Sequence, residues 1–243
     1  MAGQPLGREE LAGFLSVLQL SDSASPSGRY TLSYGLETMA QSGRLATPSD
    51  PATLSALLRD QVRLAVGPSE GVALACGHRA TTGPDSLDLE LVTRADQRLT
   101  AVKLSREARE TSSRTGRALL RAAIPVFGAG ALTTFASEIA SRRSPGNHAV
   151  VLGVLSACLG VPRLQSVAGE LFAFAAGWVA AAVRLAVTDH RTAQAVLYDV
   201  RDDLAAAANS AADNDIPDIS SCAPLLDVMA MQHEETELRL FAS

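Results

Sequence analysis

The sequence predicts an all-α protein, a single-domain helical bundle of about ten helices with no sheet. Three observations lead there. Apolar residues recur at helical spacing along most of the 243-residue chain, so that its valines and isoleucines fall on stripes. Neither alternating strands nor hairpin dipeptides at strand spacing separate those stripes. Hydrophobic residues make up 47% of the chain, ample for a buried core and too many for a chain disordered throughout. There is no internal repeat, and the only compositional bias is Ala-rich helix filler.

Taken in order, a first helix is expected over about Arg8 to Leu20, followed by a loop of unusual composition. There Ser21, Asp22 and Ser23 can bond local backbone, Pro26 fixes its own φ, and Gly28 permits a left-handed turn. From Tyr30 the pattern reads as a second helix to Ser42 ended by Gly43, with Tyr30, Tyr34 and Glu37 on one face. Asp50 and Pro51 make a strong start for a third helix carrying Leu54, Leu57, Leu58 and Val62. Gly67-Pro68 is expected to interrupt it before an Ala- and Val-rich buried segment, Ser69 to Ala80. Thr81 to Pro84 reads as a plain loop. Leu87, Leu91, Val92, Ala95, Leu99 and Val102 mark the next helix, which leads to a basic one over Ser105 to Ala123.

In that segment Arg106, Arg109, Arg114, Arg117 and Arg121 fall within an arc of about 140°. Two readings stand side by side, a solvated face with intrahelical ion pairs and a docking site for an acidic partner. Ile124-Pro125 should end the helix. After the Ser144 to His148 loop and an apolar helix, Leu164 to Leu185 is the longest periodic run and the expected central helix, with the sole tryptophan, Trp178, supplying bulk. Thr188-Asp189 can cap a helix running to about Ala212. Asp213 to Ser221 reads as a linker, which divides the chain into a helical domain, 1–221, and a C-terminal helix with a tail, 222–243. Leu238, Leu240 and Phe241 in that tail would be poorly buried on a monomer.

Several functions are excluded or left without support. A formal charge of −5 sets against nucleic acid, whose binding needs a net basic face. Of the 21 basic residues only Lys103 is a lysine, and no phosphate-binding GxxxxGK[ST] can be written around it. Phe127-Gly128-Ala129-Gly130 lacks the third glycine and the preceding strand of a dinucleotide loop. Cys76, Cys158 and Cys222 lie far apart and fit a reducing compartment. The N-terminus has acids where a signal peptide needs a basic region, and Arg163, Glu170 and Arg184 interrupt the most apolar stretch, so a cytoplasmic protein with no membrane segment is expected. His78, His148, His190 and His233 are dispersed. Cys76-x-His78 is the only close soft pair, and His233-Glu234 lacks a second histidine at position 237. Neither a catalytic nor a metal site is expected from these motifs.

Two stretches resemble the urease accessory protein UreF family. In the first, Pro26, Gly28, Tyr30, Ser33, Gly35, Leu36 and Glu37 match its N-terminal signature, with Arg29 where a small residue is usual and Leu32 where histidine is common. In the second, His233-Glu234 followed by Arg239-Leu240-Phe241 and Ser243 resembles its terminal pattern. Ser105 to Glu107, Gly116-Arg117, Gly146, His148 and Gln194 resemble further family positions.

The resemblance implies a helical, non-catalytic, homodimeric scaffold without a cofactor of its own. It would sit between the UreD/UreH accessory protein and the UreG GTPase while nickel is delivered to apo-urease. Activating, gating and purely scaffolding effects on GTP hydrolysis are all compatible with it. It implies a UreD/UreH contact through His233, Glu234, Arg239, Leu240 and Phe241. A UreG-facing side is implied for Gly28, Tyr30 and Glu37, with Arg106 and Arg117 as further candidates. The alternatives are an adaptor for another metalloenzyme and a helical ligand-binding regulator, the latter marked by an apolar cavity near Trp178.

Overall fold

The computed structural model describes residues 7–22 and 32–233. Among these the architecture is a helical bundle around α9 (Arg163–Arg184), against which α1 (Arg8–Ser21), α4 (Val72–Arg79), α8 (His148–Cys158), α10 (His190–Asp199) and α11 (Arg201–Asp213) pack. Val167, Leu171, Ala175, Trp178 and Ala182 on α9 are fully buried, as the periodic run predicts. α9 is long and apolar enough to cross a membrane, but this stripe is the core of the bundle.

The tightest crossing is α4 on α8. Every residue of α8 from His148 to Ser156 is buried, and glycines let the two backbones touch. A Cβ on Gly153 would lie 2.2 Å from the Leu74 carbonyl oxygen, and one on Gly77 would lie 2.8 Å from that of Val150.

Helix caps follow the sequence closely. Asp50 accepts a bond from the Thr53 N–H at 2.9 Å and starts α3 (Pro51–Gln61). Asp88 caps α5 (Leu89–Val102), Ser105 caps α6 (Arg106–Phe127) and Asp189 caps α10 in the same manner.

Helix breaks follow it less well. Gly67-Pro68 does not interrupt the third helix, because the chain continues from α3 through a π-helical segment, Val62–Gly71, straight into α4. Pro68 has no N–H to give Leu64, and the Leu64 carbonyl is instead satisfied by the Cys222 N–H at 2.8 Å. The Ser220 N–H reaches the Pro68 carbonyl at 3.1 Å. Residues 213–221 are therefore no free linker. A 3-10 turn (Ile216–Asp218) and the fully buried Ile219 fix them to the body, and Arg79 bonds the carbonyls of Ala212 and Asn214 at 3.2 and 2.6 Å.

Ile124-Pro125 likewise leaves α6 intact to Phe127, where Gly128 in the left-handed region closes it. The expected helix to Ala212 is two, bent at Val200, and Arg59 clamps both sides of the bend through Asp199 and Asp203. Thr81–Gly83 and Ser86–Leu87 form a small antiparallel hairpin, β1 and β2, where a plain loop and no sheet were expected. α7 (Gly130–Ala140) and α12 (Pro224–His233) complete the fold, with α12 lying against α6 and α2 (Leu36–Gln41).

Candidate functional site

The π-helical segment carries Ala65, Val66 and Glu70 to the wall of a pocket of about 240 Å³, beside Gln61 from the end of α3. Facing them are the first turns of α6, the start of α8, Glu170 and Phe174 of α9, and Asp227 of α12. Leu32, Tyr34, Gly35, Lys103, Ser221 and Ala223 complete the lining.

Tyr34 and Gly35 both adopt left-handed backbone, at φ 54° and 82°, so the second helix starts only at Leu36 and is shorter than predicted. Tyr34 consequently does not share a helix face with Glu37. Its ring meets Phe174 edge-on at 4.9 Å, and Gly177 makes room for its hydroxyl.

Two acid–base pairs border this pocket. Lys103, the sole lysine, is 11% exposed and pairs with Glu70, whose other neighbour is the Ser69 hydroxyl. Arg109 fixes the turn that holds Lys103 by donating to the carbonyls of Lys103 and Leu104 at 2.7 and 2.8 Å. Burial alone would push the Glu70 carboxyl up, but the Lys103 ammonium and the bonds from Lys103 and Ser69 outweigh it and hold the group below its ordinary value.

In the second pair, His148 Nε2 lies 3.9 Å from Glu170 Oε2, both side chains almost wholly buried. Asp96 sets His148 in place. Its buried carboxylate accepts from the Gly146 and Asn147 N–H groups at 2.6 and 2.8 Å, from the Asn147 amide at 2.7 Å and from Ser144 Oγ at 2.5 Å, which fixes the loop opening α8. Gly116 of α6 sits against that same loop, where a Cβ would lie 2.1 Å from the Gly146 carbonyl oxygen. Burial raises the Asp96 carboxyl above its usual range despite these donors.

Two of the three thiols, Cys76 and Cys158, are held in the neutral form. Burial pushes Cys76 and Cys158 up to about 11. Cys76 and His78 do not converge either, since Cys76 lies by Arg79 and Asp215 while His78 Nε2 meets the Val161 carbonyl at 2.8 Å. Among the described residues no group of three His, Cys, Asp or Glu side chains could hold a metal ion. The Gln61 amide Nε2 is buried at the pocket without a partner, a donor ready for a ligand or a partner's carbonyl.

Of the residues expected at partner contacts, Arg106 and Arg117 are exposed on α6, and Arg106 has Glu110 at 3.9 Å. Arg114 and Arg121 are exposed beside them, so much of the predicted basic stripe faces solvent. Glu37 is fully buried, accepting from Gln41 Nε2 at 3.2 Å, and is not presented on this monomer's surface. His233 ends α12. Gly28, Tyr30, Glu234, Arg239, Leu240 and Phe241 lie outside the described residues. Because α12 packs on α2, the helices bearing Glu37 and His233 are neighbours.

The pocket itself escaped the sequence because its pairs join distant positions. Two signals could have found it, the uniqueness of Lys103 and the placing of Glu170 inside an apolar run.

The UreF family model matches residues 49–201. The chain is 32% identical to the urease accessory protein UreF of Trichodesmium erythraeum, covering 94% of this chain and 96% of the relative. It is 27% identical to UreF of Yersinia pseudotuberculosis, covering 94% and 97%, and 29% identical to urease accessory protein UreF 2 of Brucella canis, covering 95% and 92%. The chain belongs to the UreF family of urease accessory proteins.

Proposed function

We propose that this protein is a cytosolic, non-catalytic scaffold that bridges UreD/UreH and the UreG GTPase while nickel is inserted into apo-urease, and that it works as a homodimer. The observation that carries the dimer, and with it the scaffold, is an apolar stripe on the outside of α1. Leu11, Phe14, Leu15 and Leu18 recur at helical spacing and are between 47% and 55% exposed, while Gly13 on the other side of the helix is buried. Phe172 of α9, the helix on which α1 packs, is likewise 51% exposed. A stripe of this kind on a chain whose core is already filled suits a subunit interface.

The UreD/UreH contact is assigned to the α12 end, His233, with Glu234, Arg239, Leu240 and Phe241. The UreG contact is assigned to Gly28, Tyr30, Arg106 and Arg117, with Glu37 holding α2 in place from beneath.

Size-exclusion chromatography with light scattering, using the cognate UreD/UreH and UreG with GTP and nickel, tests this reading. A stable ternary complex is expected. Deleting Glu235 to Ser243 should abolish the UreD/UreH contact with helicity intact, and Tyr30→Ala should weaken UreG recruitment alone. No complex from folded proteins, or equal loss of both contacts from Tyr30→Ala, overturns the assignment.

A further inference from the structure

Where α6 meets α7, Leu120, Ile124 and Ile139 help line a groove of about 420 Å³. Arg117, Arg121 and Arg142 also line it, and no acidic side chain does. Among the described residues none of these three arginines has an ion-pair partner, on a chain of net charge −5. Glu138 of α7 is occupied elsewhere, held by Arg143 through two bonds of 2.7 Å.

Arg142 stands at φ 60°, in the left-handed region just past α7, where its N–H bonds the Ile139 carbonyl at 3.1 Å. Glycine suits that position better, so the arginine is there at a conformational cost. Ile139 in turn packs closely on Gly146.

We propose that this groove docks an acidic protein segment that carries an aliphatic side chain between its carboxylates. The guanidinium forks would take the carboxylates two-pronged while the aliphatic group fills the floor. Nucleic acid fits less well, because three cations over an apolar floor on an acidic chain do not track a phosphate backbone. The inference deepens the scaffold reading by giving the chemistry of one contact, with Arg117 shared between them and Arg121 and Arg142 added.

The test is fluorescence anisotropy of the full chain with a short labelled peptide centred on Glu-Asp-Leu-Glu-Asp, against the same peptide with glycine for leucine and against a labelled oligothymidylate. The leucine peptide is expected to bind, to weaken about tenfold on loss of the leucine and to weaken with added salt. The double variant Arg117→Glu/Arg121→Glu should abolish binding. Should that variant misfold, Arg142→Gly serves in its place, with an expected loss of about tenfold and no drop in melting temperature. Binding that survives these changes, equal binding of the glycine peptide, preference for the oligonucleotide or absence of peptide binding overturns the proposal. No accessory protein enters this assay, so its failure and that of the ternary complex are read separately.

Discussion

Gly13 of α1 and Gly153 of α8 are the same residue on the buried side of two apolar helices, yet they stand in opposite surroundings. A Cβ on Gly153 would collide with backbone, the Leu74 carbonyl at 2.2 Å and the His78 N–H nitrogen at 2.9 Å. A Cβ on Gly13 would meet Pro162, the Gly160 carbonyl and Val161 at 3.7 to 3.9 Å, ordinary contact distances. α8 is sealed on nearly every residue, whereas α1 turns four large apolar side chains outward. The difference separates a helix whose packing is complete within the chain from one whose outer face is still available.

The largest effect expected from this contrast is that of Gly153→Ala. One added methyl must push α4 and α8 apart, with a loss of at least about 3 kcal/mol in urea unfolding. A loss below about 1 kcal/mol would mean that the crossing is less tight than the 2.2 Å approach implies.

Asp96→Ala comes next, because it strips the carboxylate that anchors the loop ahead of α8 and leaves the Gly146 and Asn147 N–H groups buried. A loss of about 2 kcal/mol is expected by the same measurement, and faster amide exchange at residues 144–147 would place it there.

Gly13→Ala should run the other way. With room for its methyl and a better helix former in place, it should raise stability by about 0.5 to 1 kcal/mol. A destabilising Gly13→Ala would show that α1 is packed as closely as α8.

Much of the fold was legible in the sequence wherever a local signal decides the outcome. The caps at Asp50 and Asp189 and the stripe of α9 around Trp178 are settled by neighbours within a few residues. The sequence misleads where a distant partner changes the local answer. Pro68 would end an isolated helix, but the Cys222 N–H supplies the bond that it removes from Leu64, and a π-helical turn absorbs the rest. Residues 213–221 look like a linker until Arg79 and Pro68 are brought beside them. The separation of Tyr34 from Glu37 follows from two consecutive left-handed residues, and at a tyrosine that conformation cannot be foreseen from composition.

The candidate surfaces divide the same way. The arginine stripe of α6 follows from helical spacing alone, and the structure leaves Arg106, Arg114, Arg117 and Arg121 exposed. The contribution of Arg142 comes from another element and has no counterpart in that spacing. Glu37 shows the converse, a polar residue in a matching motif that the fold buries completely.

The most direct test of the central claim is the mass of the protein in solution, measured by light scattering for the native chain and for Leu15→Glu/Leu18→Glu. The account predicts twice the 25.3 kDa chain mass for the native protein and the single mass for the variant, with the same helical circular dichroism. A native protein that stays at 25.3 kDa when concentrated, or a variant that still doubles, would contradict the assignment of the outer face of α1 to subunit contact.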